Sequence, residues 1–206
     1  METKEIRSFD CEFRADANEE HGHFIVGRPI VFNSRTDMGW YDEIIDDGAL
    51  NNTDLKDVRL LVNHNIDMIP LARSRNNTEG STMKLTPVDG VGLDMRADLD
   101  IENNSDARAL YSAVERGDLS GMSFMFIIDA DSWDDIDSDH PVRHVRSIKR
   151  VLEVSAVTFP AYKETAISTR GLSDALESAR MSLESVKAKR REIERRKAKI
   201  KILMEV

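Results

Sequence analysis

The sequence has a single cysteine, no long apolar run and fewer basic than acidic residues. The lone Cys11 excludes an internal disulfide framework and is typical of proteins in a reducing compartment. No apolar stretch approaches the roughly 20 residues that are needed to cross a bilayer. Residues 1–5 lack the apolar core of a secretion signal. These absences predict a soluble protein that is made in a cytoplasm and has no membrane partner.

Basic residues are too few for a general nucleic-acid binder, because the net charge is -9. The charge is also unevenly divided along the chain. From Gly171 onward, ten Lys and Arg stand against six Asp and Glu, a charge of +4, whereas residues 1–170 carry -13. A chain of 206 residues, 40% of them hydrophobic, can form one domain with a proper core and an appendage. We therefore predict a domain over residues 1–170 and a tail over residues 171–206.

Most of the predicted domain follows strand patterns, in which short apolar or alternating segments are bounded by turn residues. The predicted strands are 23–32, 58–62, 69–75, 82–86, 91–99, 122–128 and 148–159. One helix, over residues 104–116, has apolar residues at helical spacing, Ser105 as a cap and Gly117 as a stop. The acidic run 129–139 is predicted to be a solvated loop. This order predicts the α+β class, with a closed or nearly closed β-barrel and helices packed outside it.

The tail after Leu172 has a heptad pattern. The two sets of seam positions are Leu172, Ala179, Val186, Ile193 and Ile200, and Leu176, Leu183, Arg190, Lys197 and Met204. The pattern predicts either an amphipathic helix packed on the barrel or a helix that pairs with another chain. In the second case Arg190 and Lys197 would weaken self-association.

Three residues could form a nucleophilic site. Ser123 lies at the start of a predicted buried strand, after a flexible glycine, where its hydroxyl can be held rigidly toward a cleft. His64 directly follows the strand 58–62 and is therefore expected at the rim of the barrel. Glu153 lies inside a strand, where an acid is costly unless a partner such as an imidazole meets it. The alternatives are a turn serine, a turn-capping histidine and an outward-facing glutamate.

Metal sites have weaker support in the sequence. His140 and His144 have metal-like spacing, but the nearby Asp residues and Cys11 supply no recognisable zinc ligand set. The acidic run fails the calcium-loop pattern, because His140 occupies the position of the glycine and Arg146 that of the glutamate. We therefore predict no metal and no cofactor, with a metal-dependent hydrolase using His140 and His144 as an alternative.

Four ordered blocks resemble those of the tailed-bacteriophage prohead proteases, a family that is similar to the herpesvirus assemblins in fold and in its serine-histidine core. The blocks are residues 42–50 (DEIIDDGAL), 61–65 (LVNHN) with 70–73 (PLAR), 121–126 (GMSFMF) and 152–161 (LEVSAVTFPA). They span roughly residues 20–165. The chain departs from the family pattern at Asn65, where Asp is common, and at Leu71-Ala72-Arg73, which replaces Leu-Gly-Arg.

The resemblance implies a serine nucleophile at Ser123, a histidine base at His64 and a third, acidic member at Glu153. Ser120 stays open as an alternative nucleophile, because only three residues separate it from Ser123. The resemblance also implies an assemblin-like barrel.

The function that the resemblance implies is a serine endopeptidase of virus head assembly. Its substrates would be scaffold segments, the amino-terminal region of the major capsid protein and the protease itself, inside the assembling prohead in the host cytoplasm. The tail would recruit the protease to scaffold or capsid protein and would be open to self-cleavage, and self-association is expected. The competing interpretation is a catalytically inactive scaffolding protein with the same fold.

Overall fold

The computed structural model describes residues 4–20, 22–158 and 169–204, which form a mixed α+β fold of eleven strands and two helices. The elements are β1 (Lys4–Asp10), β2 (Phe13–Asn18), β3 (Gly22–Val31), β4 (Arg35–Asp37), β5 (Asp42–Ile45), β6 (Val58–Val62), β7 (Ala72–Ser74), β8 (Met83–Val88), β9 (Gly92–Asp98), α1 (Ser105–Glu115), β10 (Gly121–Asp134), β11 (Val142–Val157) and α2 (Thr169–Met204). The end of the fourth sequence block, at residues 159–161, lies outside the described residues. Neither described helix is both long and apolar enough to cross a membrane.

The strands form two sheets. In the larger sheet the hydrogen-bonded order is β1-β10-β11-β5-β4, while β6 pairs with β11 and with β7. In the smaller sheet the order is β2-β3-β9-β8. The first half of β11 pairs with β5 and its second half with β6, both in parallel. No closed barrel is found among the described strands, so the predicted barrel is not confirmed and stays a prediction.

Strand β10 divides the main core from the face that carries the candidate serine. Met122, Phe124 and Phe126 are fully buried in the main core. Because successive side chains of a strand point to opposite faces, Ser123 lies on the other face, between Met122 and Phe124. That face is also covered, since Ser123 itself has no exposed surface.

Helix α1 confirms the predicted helix, with a different cap. Asn104, not Ser105, is the N-cap residue, and its side-chain oxygen accepts hydrogen bonds from the backbone amides of Asp106 and Ala107. Gly117 follows the helix with a φ of 77°, a left-handed conformation that glycine adopts without strain.

The predicted acidic loop over residues 129–139 is wrong in its first half, because β10 continues to Asp134, and is confirmed in its second half, where residues 135–139 form the turn before β11. Two tertiary contacts, which cannot be inferred from the local composition, stabilise this part of the strand. Trp133 is buried, and Asp131 accepts a hydrogen bond from Arg143 of the neighbouring strand at 2.7 Å. A tertiary ion pair therefore compensates for a charge that the sequence pattern assigns to solvent.

A charge cluster of Glu5, Arg7, Glu43, Asp131 and Arg143 ties β1 to the rest of the larger sheet. Arg7 donates to Glu5 at 2.6 Å and to both carboxylate oxygens of Glu43. Arg143 donates to Glu5 at 3.0 Å. Burial raises the pKa of Glu5, but the two guanidinium groups outweigh that effect and hold it below its ordinary value. The cluster therefore holds its charges in paired form.

Helix α2 confirms the predicted helical tail and packs against the larger sheet. Ala179 and Leu183 are buried against Tyr41 and Trp133 in a second, smaller apolar cluster. The rings of Tyr41 and Trp133 lie 5.3 Å apart. The first half of the tail is therefore a packed amphipathic helix, as one of the two sequence interpretations predicts.

Two serines of α2 extend the charge cluster. The Ser178 hydroxyl donates to Glu5 at 2.9 Å, and the Ser182 hydroxyl donates to Asp131 at 2.9 Å. The indole of Trp133 in turn donates to Ser182 at 3.1 Å. These bonds connect the C-terminal helix with strands β1 and β10.

Replacing Tyr41 by phenylalanine is expected to stabilise the protein by about 1 kcal/mol at pH 7. The Tyr41 hydroxyl is buried and has no hydrogen-bond partner among the described residues, so its removal relieves an unpaid desolvation cost. Burial also raises the pKa of Tyr41 to about 12, so the wild type loses stability as the pH rises from about 10 through 12. The Tyr41→Phe protein should lose less stability than the wild type between about pH 10 and pH 12.

Urea unfolding followed by tryptophan fluorescence at pH 7 and pH 11 measures both effects. Tyr111→Phe, at a partly exposed tyrosine, is the control at pH 7. Destabilisation of the Tyr41→Phe protein at pH 7 by 1 kcal/mol or more would mean that the hydroxyl has a partner after all.

Candidate active site

His64 sits in a tight turn that follows β6. Both Asn63 and His64 have left-handed backbone conformations, with φ values of 51° and 57°. This conformation is unusual outside glycine, although asparagine tolerates it best. The Asn63 side chain secures the turn, because it donates to the Thr158 hydroxyl at 3.0 Å and accepts from the Thr158 amide at 3.0 Å. The turn directs the imidazole back along β11.

The His64 imidazole contacts Glu153 of β11. Its Nδ1 lies 2.5 Å from Oε1 of Glu153, and both side chains are at least nine-tenths buried. Ser155 completes the arrangement, since its hydroxyl donates to Oε2 of Glu153 at 2.6 Å and accepts from the His64 amide at 3.1 Å. Both carboxylate oxygens of Glu153 are therefore occupied, and its orientation is fixed.

The far nitrogen of the imidazole is free to act as a base. Because the Glu153 carboxylate accepts a hydrogen bond, it favours the tautomer with the proton on Nδ1 and a lone pair on Nε2. Nε2 of His64 is buried and finds no hydrogen-bond partner among the described residues. A buried unpaired acceptor costs free energy, and such atoms are frequent where a substrate or a reacting group completes a site. A hydroxyl brought to Nε2 could lose its proton there.

Ser123 lies one strand away from this pair. The register places Ser8, Ser123 and Ser155 directly opposite one another on β1, β10 and β11. Residues directly opposite in antiparallel strands point to the same face, and Glu153 shares that face with Ser155. The fold thus brings Ser123 beside the His64–Glu153 pair, with Ser155 on the neighbouring strand between them.

The Ser123 hydroxyl faces strand β1. It donates to the Arg7 carbonyl at 2.8 Å and accepts from the Ser8 hydroxyl at 2.9 Å. Strand β1 therefore occupies the hydroxyl of the candidate nucleophile. Rotation about χ1 is the motion that would release it, and serine has three staggered rotamers available.

The alternative serine and the two other candidate histidines lie elsewhere. Ser120 is exposed in the segment between α1 and β10. His140 contacts Asp42 at 3.0 Å, whereas His144 contacts Asp46 at 2.8 Å. The two histidines thus face different carboxylates.

Asp37, Asp42 and His140 are close enough to share a cation, within the part of the chain that the structure describes. His144 is not part of that group. Exposed acidic groups are common without a bound ion, and Asp42 already binds Arg35. The group resembles a surface ion-pair cluster. Because it includes only one of the two histidines, it does not support a metal-dependent hydrolase that uses both His140 and His144.

Two residues of the site were missed by sequence reasoning. The alternation of β11 places Ser155 on the face of Glu153, and this is a weak signal for its role. Ser8 has no local signal, because its contact with Ser123 joins residues 115 positions apart.

A family model described as "Caudovirus prohead serine protease" matches residues 9–178, more than three quarters of the chain. No curated protein and no solved structure matches the chain. The likeness to the herpesvirus assemblins therefore stays a prediction.

Proposed function

Because the chain belongs to the caudovirus prohead serine protease family, it is a serine protease of phage capsid maturation, and we propose that Ser123, His64 and Glu153 form its catalytic triad. The observation that carries this assignment is the His64 imidazole, whose Nδ1 contacts Glu153 while its buried Nε2 has no partner among the described residues. That arrangement is what a general base requires before the nucleophile engages it.

The proposed reaction begins when the Ser123 hydroxyl rotates from the Arg7 carbonyl toward Nε2 of His64. The Ser123 oxygen attacks the scissile carbonyl carbon while its proton passes to Nε2, and Glu153 stabilises the resulting imidazolium. His64 then gives the proton to the leaving amine as the peptide bond breaks, which leaves an ester on Ser123. A water molecule, deprotonated by His64, hydrolyses the ester and restores the serine.

The proposed substrates are capsid-associated proteins: scaffold segments, the amino-terminal region of the major capsid protein and the protease itself. The proposed protease domain spans residues 1–170, and the proposed tail of residues 171–206, which contains most of helix α2, recruits that domain. The proposed place of action is the assembling prohead in the host cytoplasm. No metal, cofactor or nucleic acid takes part in the proposed chemistry.

Co-expression of the capsid protein with the protease tests this proposal. Mass spectrometry of the capsid protein is expected to show cleavage with the wild type and none with Ser123→Ala. Ser120→Ala is the matched control, because it removes an exposed hydroxyl three residues away, and it should leave cleavage intact.

The outcome also separates the competing functions. Unchanged capsid-protein length with the wild type and with Ser123→Ala would favour the inactive scaffolding protein. Cleavage that survives Ser123→Ala but is lost with Ser120→Ala would move the nucleophile to Ser120.

Ser8→Ala is expected to raise the cleavage rate about two- to fivefold. The Ser8 hydroxyl stabilises the resting orientation of Ser123, and one such hydrogen bond contributes about 1 kcal/mol. Its loss should increase the fraction of Ser123 that faces His64. The initial rate of cleavage of the co-expressed capsid protein measures the effect.

Ser147→Ala is the control for this prediction. It removes a hydroxyl in the first half of β11 that donates to Asp129 of β10, and it should not alter the rate. A fall in rate with Ser8→Ala would show that Ser8 supports the active orientation instead of opposing it.

A further inference from the structure

The two halves of helix α2 have different surroundings. Its first half packs on the sheet, as described above. From residue 188 to residue 201 every side chain is exposed, so this half of the helix projects from the protein. Ile193 and Ile200 are 52% and 57% exposed, which is unusual for isoleucine. The projecting half therefore carries apolar side chains that the described part of the chain does not cover.

The projecting half is also strongly basic. Residues 187–201 contain nine Lys and Arg and two Glu, a net charge of +7, which leaves -16 on the rest of the chain. Arg190 contacts Asp137 of the β10–β11 turn at 2.8 Å. The residues from 191 to 201 extend past this contact, so the acidic body does not neutralise them through close pairs that the structure describes.

The isoleucines and the basic residues form an ordered surface. Successive residues of a helix are rotated by about 100°, so residues seven apart lie nearly in line. Ile193 and Ile200 continue the line of Val186, which packs against the apolar cluster of Tyr41 and Trp133. Basic residues flank this line on both sides: Lys189 and Arg196 on one, Arg190, Lys197 and Lys201 on the other.

Packing of the first half of α2 on the sheet stabilises the helical conformation of the projecting half. An isolated helix of about 15 residues is marginal in water because nucleation is unfavourable. Here the packed turns around Ala179 and Leu183 supply the nucleus. The Arg190–Glu194 and Arg196–Glu192 pairs, each four residues apart, support the projecting turns. A partner therefore meets a preformed helical surface and has little ordering to impose on it.

We propose that residues 187–201 form a docking surface for an acidic amphipathic helix of another protein. Such a helix would cover Ile193 and Ile200 with its own apolar seam and place Asp and Glu side chains against the flanking Lys and Arg. A second copy of this helix is a poor partner, because it would bring two segments of +7 together and set Arg190 and Lys197 against other cations. The surface lies outside the candidate active site, so the inference stands whichever residue is the nucleophile.

Binding of a synthetic acidic peptide to the full-length Ser123→Ala protein tests the proposal. The peptide has about four heptads, with Ile and Leu at the seam and Glu at the flanking positions, and carries a fluorophore for anisotropy. We expect saturable binding at about 50 mM salt that weakens at about 300 mM salt. A scrambled peptide of the same composition should bind at least about tenfold more weakly, since it has the charge but no seam.

Two sets of charge reversals form a matched pair. Lys189→Glu, Arg196→Glu and Lys201→Glu change the positions beside the isoleucine line, whereas Arg191→Glu, Arg195→Glu and Lys199→Glu change the opposite face of the helix by the same total charge. We expect the first set to weaken peptide binding about 30-fold or more and the second set less than about threefold. Ile193→Ser with Ile200→Ser should weaken it about tenfold, and these exposed positions should not affect folding.

Several results would overturn the proposal. Equal losses of peptide affinity from the two sets of charge reversals would show general electrostatic attraction without a defined binding surface. Tighter binding of a DNA duplex than of the acidic peptide, unaffected by the isoleucine substitutions, would assign the surface to nucleic acid. Self-association in sedimentation that the isoleucine substitutions abolish would make a second copy the occupant. Absence of peptide binding at low salt would exclude an acidic helix as the partner.

Discussion

Glu153→Gln is expected to lower the rate of peptide-bond cleavage by about 10⁴-fold. The Glu153 carboxylate accepts from Nδ1 of His64 at 2.5 Å and so keeps the lone pair of the imidazole on Nε2. An amide at this position can donate to Nδ1, which favours the opposite tautomer, in which Nε2 carries the proton and cannot act as a base. The substitution keeps the size of the side chain, so the packing around it should change little. Time-resolved mass spectrometry of the capsid protein measures the rate.

Two further variants show whether Glu153 acts through His64. The double variant His64→Ala with Glu153→Gln should be no slower than His64→Ala alone, because members of a triad act as a unit. Ser155→Ala removes a hydroxyl that donates to the other carboxylate oxygen of Glu153. It should lower the cleavage rate only about tenfold. A Glu153→Gln protein that stays within tenfold of the wild-type rate would remove Glu153 from the proposed triad.

Arg143→Met is expected to destabilise the protein by about 3 to 5 kcal/mol. Arg143 is 1% exposed and contacts Glu5, Glu43 and Asp131. Methionine has a similar apolar stem but no charge, so the variant leaves three carboxylates with Arg7 as the one cation of the cluster. The free energy of unfolding in urea, followed by tryptophan fluorescence, measures the loss.

Arg150→Met is the matched control, because Arg150 lies on the same strand and is about half exposed in its ion pair with Asp54. The Arg150→Met substitution should lower the free energy of unfolding by less than about 1 kcal/mol. Adding Asp131→Asn to Arg143→Met should restore part of the stability, since it removes one of the uncompensated charges. A cost for Arg143→Met no larger than that for Arg150→Met would contradict a structural role for the charge cluster.

The pH dependence of the Arg143→Met deficit follows from Glu5. In the wild type the pKa of Glu5 is held below its ordinary value of 4.5, so its contribution is present above that pH and is lost as the pH falls through the lowered folded-state value. Arg143 is one cause of that lowering. The difference in stability between the wild type and the variant should therefore shrink as the pH falls below about 4.5.

Much of the candidate site can be predicted from local sequence. His64 follows an apolar strand, Ser123 begins another, and Glu153 lies inside a third, and each residue occupies the expected element in the structure. Helix α1 and the helical tail follow equally from apolar periodicity, which depends on residues three or four apart. These features are local, because hydrogen bonds within a segment and the burial of one face suffice to define them.

Features that join distant parts of the chain could not be predicted in this way. Nothing near Ser8 indicates that β1 pairs with β10 and that the Ser8 hydroxyl meets Ser123. The local sequence around Arg143 and around Glu5 predicts solvated charges. The two side chains become a buried ion pair only when β1 and β11 lie in one sheet. The continuation of β10 through the first half of the acidic run, to Asp134, depends on its pairing with β11.

Local pattern was therefore enough to predict the elements that carry the three candidate residues, since short-range periodicity and turn residues specify strands and helices. The assembled fold alone settles which way the Ser123 hydroxyl points and which half of α2 is left uncovered. Both depend on contacts between residues more than 50 positions apart, and the free energy of such contacts exists only after the sheets have formed.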